Sequence, residues 1–166
     1  MAGILPVAFN NGRVYFLYGR ETVDVKWKDS GKWSDFGGSI EKGETLKSTA
    51  IREGYEETGG ILGDEKAIKN LVDKNLIIKL TVNNFTTYIV EIPYDKILPK
   101  KYRKKYLSTK KHNFDLITNK NGLWEKDKMK WVEYKELLRF RNVCRPWYRY
   151  VVTATHNFFK DFNKME

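Results

Sequence analysis

Three glutamates, Glu53, Glu56 and Glu57, stand at positions i, i+3 and i+4. On a helix that spacing puts them on one face. Two carboxylates about 4 Å apart repel by about 1 to 4 kcal/mol near a protein surface. Arg52 is the one cation in the same turn. Such a stack needs a neutralising partner, and a hard divalent cation with oxygen ligands supplies one. Magnesium retains waters and bridges phosphate oxygens, which suits a site with few protein ligands. Glycines flanking the helix let the preceding loop turn sharply and bring a backbone carbonyl towards the same ion. These residues point to metal-assisted chemistry on an anionic substrate.

The carboxylates need a helix and a scaffold behind it. From Thr45 to Glu57 the residues favour a helix, with Leu46, Ala50 and Ile51 available for its buried side. "ILPVAF" and "RVYFLYGR" read as two strands of a hairpin around Asn10, Asn11 and Gly12. Positions 21–31 read as a polar loop ending near Trp33. "DEKAIKNLV" reads as a second helix, and "NLIIKLTV" and "FTTYIVEI" as strands around Asn83 and Asn84, the second closed by Pro93. "KMKWVEY" follows as another strand, leading into "KELLRF". Pro146 suits the first turn of a last helix, with Trp147, Val151, Ala154 and Phe158 on its apolar face. With no internal repeat and no linker, the expectation is one mixed α/β domain over 1–166, its sheet flanked by helices.

Composition narrows the setting. The chain has 166 residues, 41% hydrophobic and 14% aromatic, enough for a sizeable core and against general disorder. A lone cysteine, Cys144, excludes an internal disulfide framework. No apolar run approaches the ~20 residues of a membrane span. "MAGILPVAF" reads as a first strand and not as a signal peptide. The expectation is an intracellular, cytoplasmic protein with no membrane contact and no obligate protein partner. The net charge of +10 is unevenly placed. Lys100, Lys101, Arg103, Lys104, Lys105, Lys110 and Lys111 crowd into the basic segment 100–112 without an acid among them. Without those seven, 24 basic and 21 acidic residues remain, leaving +3. A local patch of that kind implies a polyanionic partner, the alternative being a solvated lysine-rich surface.

Gly38, five residues, Glu44, seven residues and then "REGYEETGG" resemble the Nudix box, G-x5-E-x7-R-E-U-x-E-E-x-G-U. Gly38, Glu44, Arg52, Glu53, Glu56, Glu57 and Gly59 match its fixed positions, and the order of elements resembles the family's α/β/α sandwich with a mixed sheet. Both bulky aliphatic (U) positions are instead glycine, Gly54 and Gly60. A glycine at 54 costs a helix about 1 kcal/mol and removes a packing side chain. The "SDFGGS" segment puts Phe36, expected in the core, where many relatives carry proline.

The resemblance implies hydrolysis of a nucleoside diphosphate linked to a second group, or of a related diphosphate, with Mg2+ or Mn2+. It implies that Glu53, Glu56 and Glu57 hold metal with help from the Gly38 carbonyl, that Glu53 doubles as base, and that Arg52 orients the glutamates through Glu44. In some relatives the base lies outside the box, for which Glu91, Asp115, Glu125 and Asp127 are candidates. Three substrates compete. A diphosphoinositol polyphosphate, placed first, draws on Lys100, Lys101, Arg103, Lys104 and Lys105. Capped mRNA uses the same segment, with Tyr102 and Tyr106 free to stack on bases, and the opening residues resemble Nudix proteins of large DNA viruses, which implies a host cytoplasm. A small nucleotide needs an aromatic slot, from Trp27, Trp33, Tyr88 or Trp124; Trp33 is the substrate-binding candidate among them. A catalytically inactive RNA-binding module is the reading from a different class.

Overall fold

Strand β1 (Ala2–Asn10) is apolar on both faces and buried from Ala2 to Ala8, which places it inside a sheet. This computed structural model describes residues 1–23, 26–115 and 123–162. β1 turns through Asn11 and Gly12, both at left-handed φ (50° and 70°), into the antiparallel β2 (Arg13–Glu21). That two-residue turn twists with the strands it joins. On the other side of β1 lies the parallel β6 (Phe85–Glu91), with β5 (Leu76–Val82) antiparallel beyond it. β7 (Lys126–Glu133) pairs with the far side of β2, giving a mixed sheet.

β1 and β2 pair only over Val7–Asn10 and Arg13–Phe16. Past that point they part. β3 (Trp33–Ser34) continues along β2, and β4 (Phe36–Gly38) along β1. The opening carries Gly37 and Gly38 to the rim of the sheet, under the first helix.

Strand side chains alternate between two cores, as a period of 2 requires. Ala2, Ile4, Leu17, Phe36, Tyr88 and Met129 face one; Leu5, Val7, Phe16, Tyr18, Ile89 and Val132 face the other. Helices α1 (Leu46–Glu57), α2 (Glu65–Lys74) and α3 (Leu98–His112) cover the first core. The short α4 (Leu137–Phe140) and the last helix, α5 (Arg149–Phe159), cover the second. The result is the expected α/β/α sandwich, with Phe36 fully buried. Among the described residues, no helix is long and apolar enough to cross a membrane.

Three expectations need correction. Leu46 is exposed, because α1 buries Thr49, Ala50, Ile51, Glu53, Gly54 and Glu57 instead. The buried stripe of the last helix is Val151, Val152, Thr155 and Phe159, not Trp147, Ala154 and Phe158. Thr155 can enter the core because its hydroxyl donates to the Val151 carbonyl (2.9 Å). The basic segment is helical, and Tyr102 and Tyr106 on α3 are buried against Trp124, so neither is free to stack on a base.

Candidate active site

The site begins with how closely α1 sits on β1. Thr45 caps the helix: its hydroxyl accepts the Ser48 N–H (3.1 Å), and Ser48 Oγ accepts the Thr45 N–H (2.8 Å). A Cβ on Gly54 would lie 2.7 Å from Ile4 Cδ1. The side chain expected to be missing from the helix is therefore supplied by the strand. The same close approach presses Glu53 and Glu57 onto β4. A Cβ on Gly38 would fall 2.3 Å from Glu53 Oε1, and the Gly37 N–H donates to Glu57 Oε2 at 2.7 Å.

Arg52 ties the acids together. Its Nε and NH2 donate to the two oxygens of Glu44 (2.6 and 3.1 Å), and NH2 also reaches the Ser39 carbonyl (3.0 Å). NH1 bridges Glu53 Oε1 and Glu56 Oε2, each at 3.0 Å. The guanidinium, with a backbone N–H from Glu41, holds the Glu44 carboxyl down at about 2. Glu53 moves the other way: burial pushes it up to about 7 against the pull of Arg52. Burial also raises Glu56, and it raises the enclosed Glu57 against the opposing charge of Lys126. All three lie in the C-terminal half of α1, where the macrodipole disfavours anions. Burial, mutual repulsion and the dipole act in one direction, and an added cation relieves all three.

These residues border a cleft of ≈ 450 Å³. Gly38, Glu53, Glu56 and Glu57 line it, and so do Glu125, Trp27 and Arg145. Among the described residues no three acidic, histidine or cysteine side chains converge into a ready cation cage. The donors facing this cleft are nonetheless carboxylate oxygens, and Gly38 brings no Cβ to obstruct them. That set suits a hard divalent cation.

Of the acids considered outside the box, Glu125 alone borders the cleft. Burial and the nearby Glu21 charge raise it. Asp127 is held by both Arg20 Nε (2.9 Å) and NH2 (2.8 Å). Glu91 is exposed at the end of β6, and Asp115 lies beyond the end of α3.

The expected substrate contacts lie elsewhere. Lys100, Lys101, Arg103, Lys104 and Lys105 all sit on α3, and none lines the cleft. The helix docks against the sheet through Leu98, Tyr102 and Tyr106, so its charged side faces away. Trp33 is half-buried in the second core, its ring 5.7 Å from Phe140. Tyr88 and Trp124 are buried in the first core. Of the four aromatic candidates, Trp27 is the one at the cleft, 41% exposed, with the Arg145 guanidinium 5.4 Å from its ring.

Sequence reasoning missed Arg145, Lys126 and Glu21. Arg145 lies between the rings of Trp27 and Trp147; its Nε donates to Asp29 (2.9 Å) and its NH1 to Glu21 Oε1 (3.1 Å). Lys126, fully buried, donates to Glu21 Oε1 and to Ser34 Oγ (2.9 Å). A shift of register between Arg20 and Glu21 lets Lys126 point inward, while Lys128 and Lys130 stay exposed. Strand alternation therefore carried no signal of it. The Pro146–Trp147 pair beside Arg145 marked a helix start and gave no hint of the cleft.

A sandwich around a mixed sheet, with this carboxylate helix at its rim, is the arrangement of the Nudix family's fold. The chain belongs to that family: the NUDIX domain profile matches residues 2–151. Over 58 residues it is 48% identical to uncharacterized protein L534 of Acanthamoeba polyphaga mimivirus; the match covers 34% of this chain and 18% of that protein. An Ap4A hydrolase of C. elegans shares the fold (TM-score 0.54, 14% identity, 96% of this chain and 98% of the other). So does a bifunctional NMN adenylyltransferase/ADP ribose pyrophosphatase from Francisella tularensis, in complex with AMP and a manganese ion (TM-score 0.54, 13% identity, 97% of this chain and 41% of the other).

Proposed function

We propose that this protein is a divalent-metal-dependent pyrophosphohydrolase whose substrate is a nucleoside linked through a diphosphate to a second group. One observation carries the reading: Trp27 and Arg145 share the cleft with the glutamates, and the α3 cations do not. Trp27 offers a flat apolar surface backed by a fixed cation, which suits a nucleobase. Arg145 is anchored by two carboxylates and two rings, so little entropy is lost when it meets a phosphate oxygen. An inositol pyrophosphate has no aromatic group for Trp27, and the lysines that favoured it lie outside the cleft.

Glu53, Glu56 and Glu57, with Gly38, would hold Mg2+ or Mn2+. When bound, such an ion neutralises the diphosphate and makes water more acidic. Until then Arg52 keeps Glu53 and Glu56 in register, while the Gly37 N–H and Lys126 hold Glu57. Water adds to one phosphorus, the anhydride P–O bond breaks, and the departing phosphate leaves as an anion. Glu125 takes the proton from the water: it faces the same cleft, its burial favours proton uptake, and Arg52 does not bind it. Arg145 compensates charge on the phosphate while the bond breaks.

The test is turnover, with Mg2+ or Mn2+, of diadenosine tetraphosphate, ADP-ribose, a cap dinucleotide, nucleoside triphosphates and a diphosphoinositol polyphosphate, resolved by anion-exchange chromatography. Nucleoside-linked diphosphates should turn over, with KM raised about tenfold in Trp27→Ala and activity lost in Glu57→Gln. Hydrolysis of the inositol compound alone, indifferent to Trp27→Ala, would overturn the reading.

A further inference from the structure

The helix that supplies most of the protein's excess charge is the feature the cleft leaves unused. Of its cations, Lys101 pairs with Asp95 (2.8 Å), Arg103 donates to the Asp127 carbonyl (2.8 Å) and Lys105 to the Gly59 carbonyl (2.6 Å). Lys100, Lys104, Lys110 and Lys111 form no ion pair among the described residues and are exposed. At 100° per residue, Lys100, Lys104 and Lys111 fall within about 40° of one another, opposite the buried Leu98, Tyr102 and Tyr106. They make a row about 16 Å long, with steps of about 6 and 10 Å at 1.5 Å per residue. No acid interrupts it anywhere in Leu98–His112.

We infer that the outer face of α3 is a docking track for single-stranded RNA, separate from the cleft and independent of what the cleft hydrolyses. The chemistry of the face selects this partner over two others. A helix that lies on a membrane needs an exposed apolar side, and the apolar side of α3 is spent on the core. Protein interfaces are built around aromatic and apolar anchors and are depleted in lysine, whereas this face offers lysine with Leu107 as its exposed apolar residue. A row of lysines without apolar anchors matches a phosphate backbone, which is bound through charge and without sequence preference. It is the inner face of α3 that touches the carboxylate helix, where Tyr102 donates to the Glu57 carbonyl at 3.3 Å, so the lysine row faces away from the cleft.

The experiment measures fluorescence anisotropy of a labelled, uncapped 20-nucleotide RNA on the metal-free protein, between 50 and 200 mM salt. Single strands lose about 0.7 in log–log salt slope per phosphate contact. The Lys100→Glu/Lys104→Glu/Lys111→Glu variant should bind at least tenfold more weakly, with a slope shallower by about 2. Its turnover of a small nucleotide substrate should equal that of the unaltered protein. Lys66→Glu/Lys74→Glu/Lys79→Glu, with the same change in net charge on other exposed positions, should keep most of the affinity. Equal losses in the two variants would overturn the track, since net charge alone would then explain binding. So would unchanged binding in the α3 variant, or its loss of affinity for anionic vesicles where RNA binding stays the same. Binding is read without metal or hydrolysis, so failure here leaves the cleft reading intact, and failure there leaves this one.

Discussion

The ammonium of Lys126 lies 3.6 Å from Glu57 Oε1, and neither side chain is more than 2% exposed. Glu57 is thus a carboxylate of the cleft that already has a buried cation behind it. Glu21 shares that cation and passes a second contact on to Arg145. A continuous buried chain of charge therefore joins the helix face proposed to hold metal to the arginine proposed to hold phosphate.

Replacing Lys126 with methionine keeps the volume, strands the buried Glu57 carboxylate and leaves Glu21 with Arg145 as its cation. Breaking a buried pair by removing one partner costs about 3 to 5 kcal/mol. Urea unfolding of Lys126→Met in EDTA should show a loss of that size, and Mg2+ should restore part of it by giving Glu57 another cation. A variant as stable as the unaltered protein would show that Lys126 does not compensate these acids.

The roles proposed for Glu125, as base, and Glu53, as metal ligand, can be separated kinetically. Loss of a general base lowers kcat by about 10² to 10⁴. Glu125→Gln should show that drop with metal affinity nearly kept, as read by titration calorimetry with Mn2+. Glu53→Gln should weaken metal binding as well. A fully active Glu125→Gln enzyme would return the base to the box.

Gly54 sets competing effects against each other. Alanine there gains about 1 kcal/mol of helix propensity. Its Cβ, however, would stand 2.7 Å from a fully buried Ile4 side chain, and overpacking a filled core costs about 1 to 3 kcal/mol. Gly54→Ala should therefore lower the midpoint of thermal unfolding, and adding Ile4→Val should recover much of the loss.

The buried carboxyls also set a pH dependence. Glu53 rises from its ordinary 4.5 to about 7, and Asp35, buried beside Thr87, from 3.8 to about 7. The folded state thus holds these protons more tightly than the unfolded chain, and ionising them opposes folding. Their contribution is complete below about 4 and is lost as pH rises through about 7. Denaturation in EDTA should show this contribution shrinking from pH 5.5 to 8, with a gentler decline in Glu53→Gln. Mg2+ should flatten the profile further by stabilising the ionised form. Below about 4.5 the sign reverses through Glu44: its folded value near 2 means that its contribution fades as acid is added.

Much of this was legible in the one-dimensional chain because it is local. Helical spacing groups Glu53, Glu56 and Glu57, an Asn-Gly turn makes a hairpin, and the box fixes residues within one turn and its approach loop. All of these depend on backbone geometry over a few residues. What folding alone decided depends on contacts far apart in sequence. Trp27 and not Trp33 reaches the cleft, because β3 carries Trp33 towards Phe140 and Cys144. An irregularity in one strand pair turns Lys126 inward, and the docking of Tyr102 and Tyr106 turns the lysines of α3 away from the glutamates. Charge type and spacing are properties of the chain, but the direction a charge faces is set by what its neighbours bury.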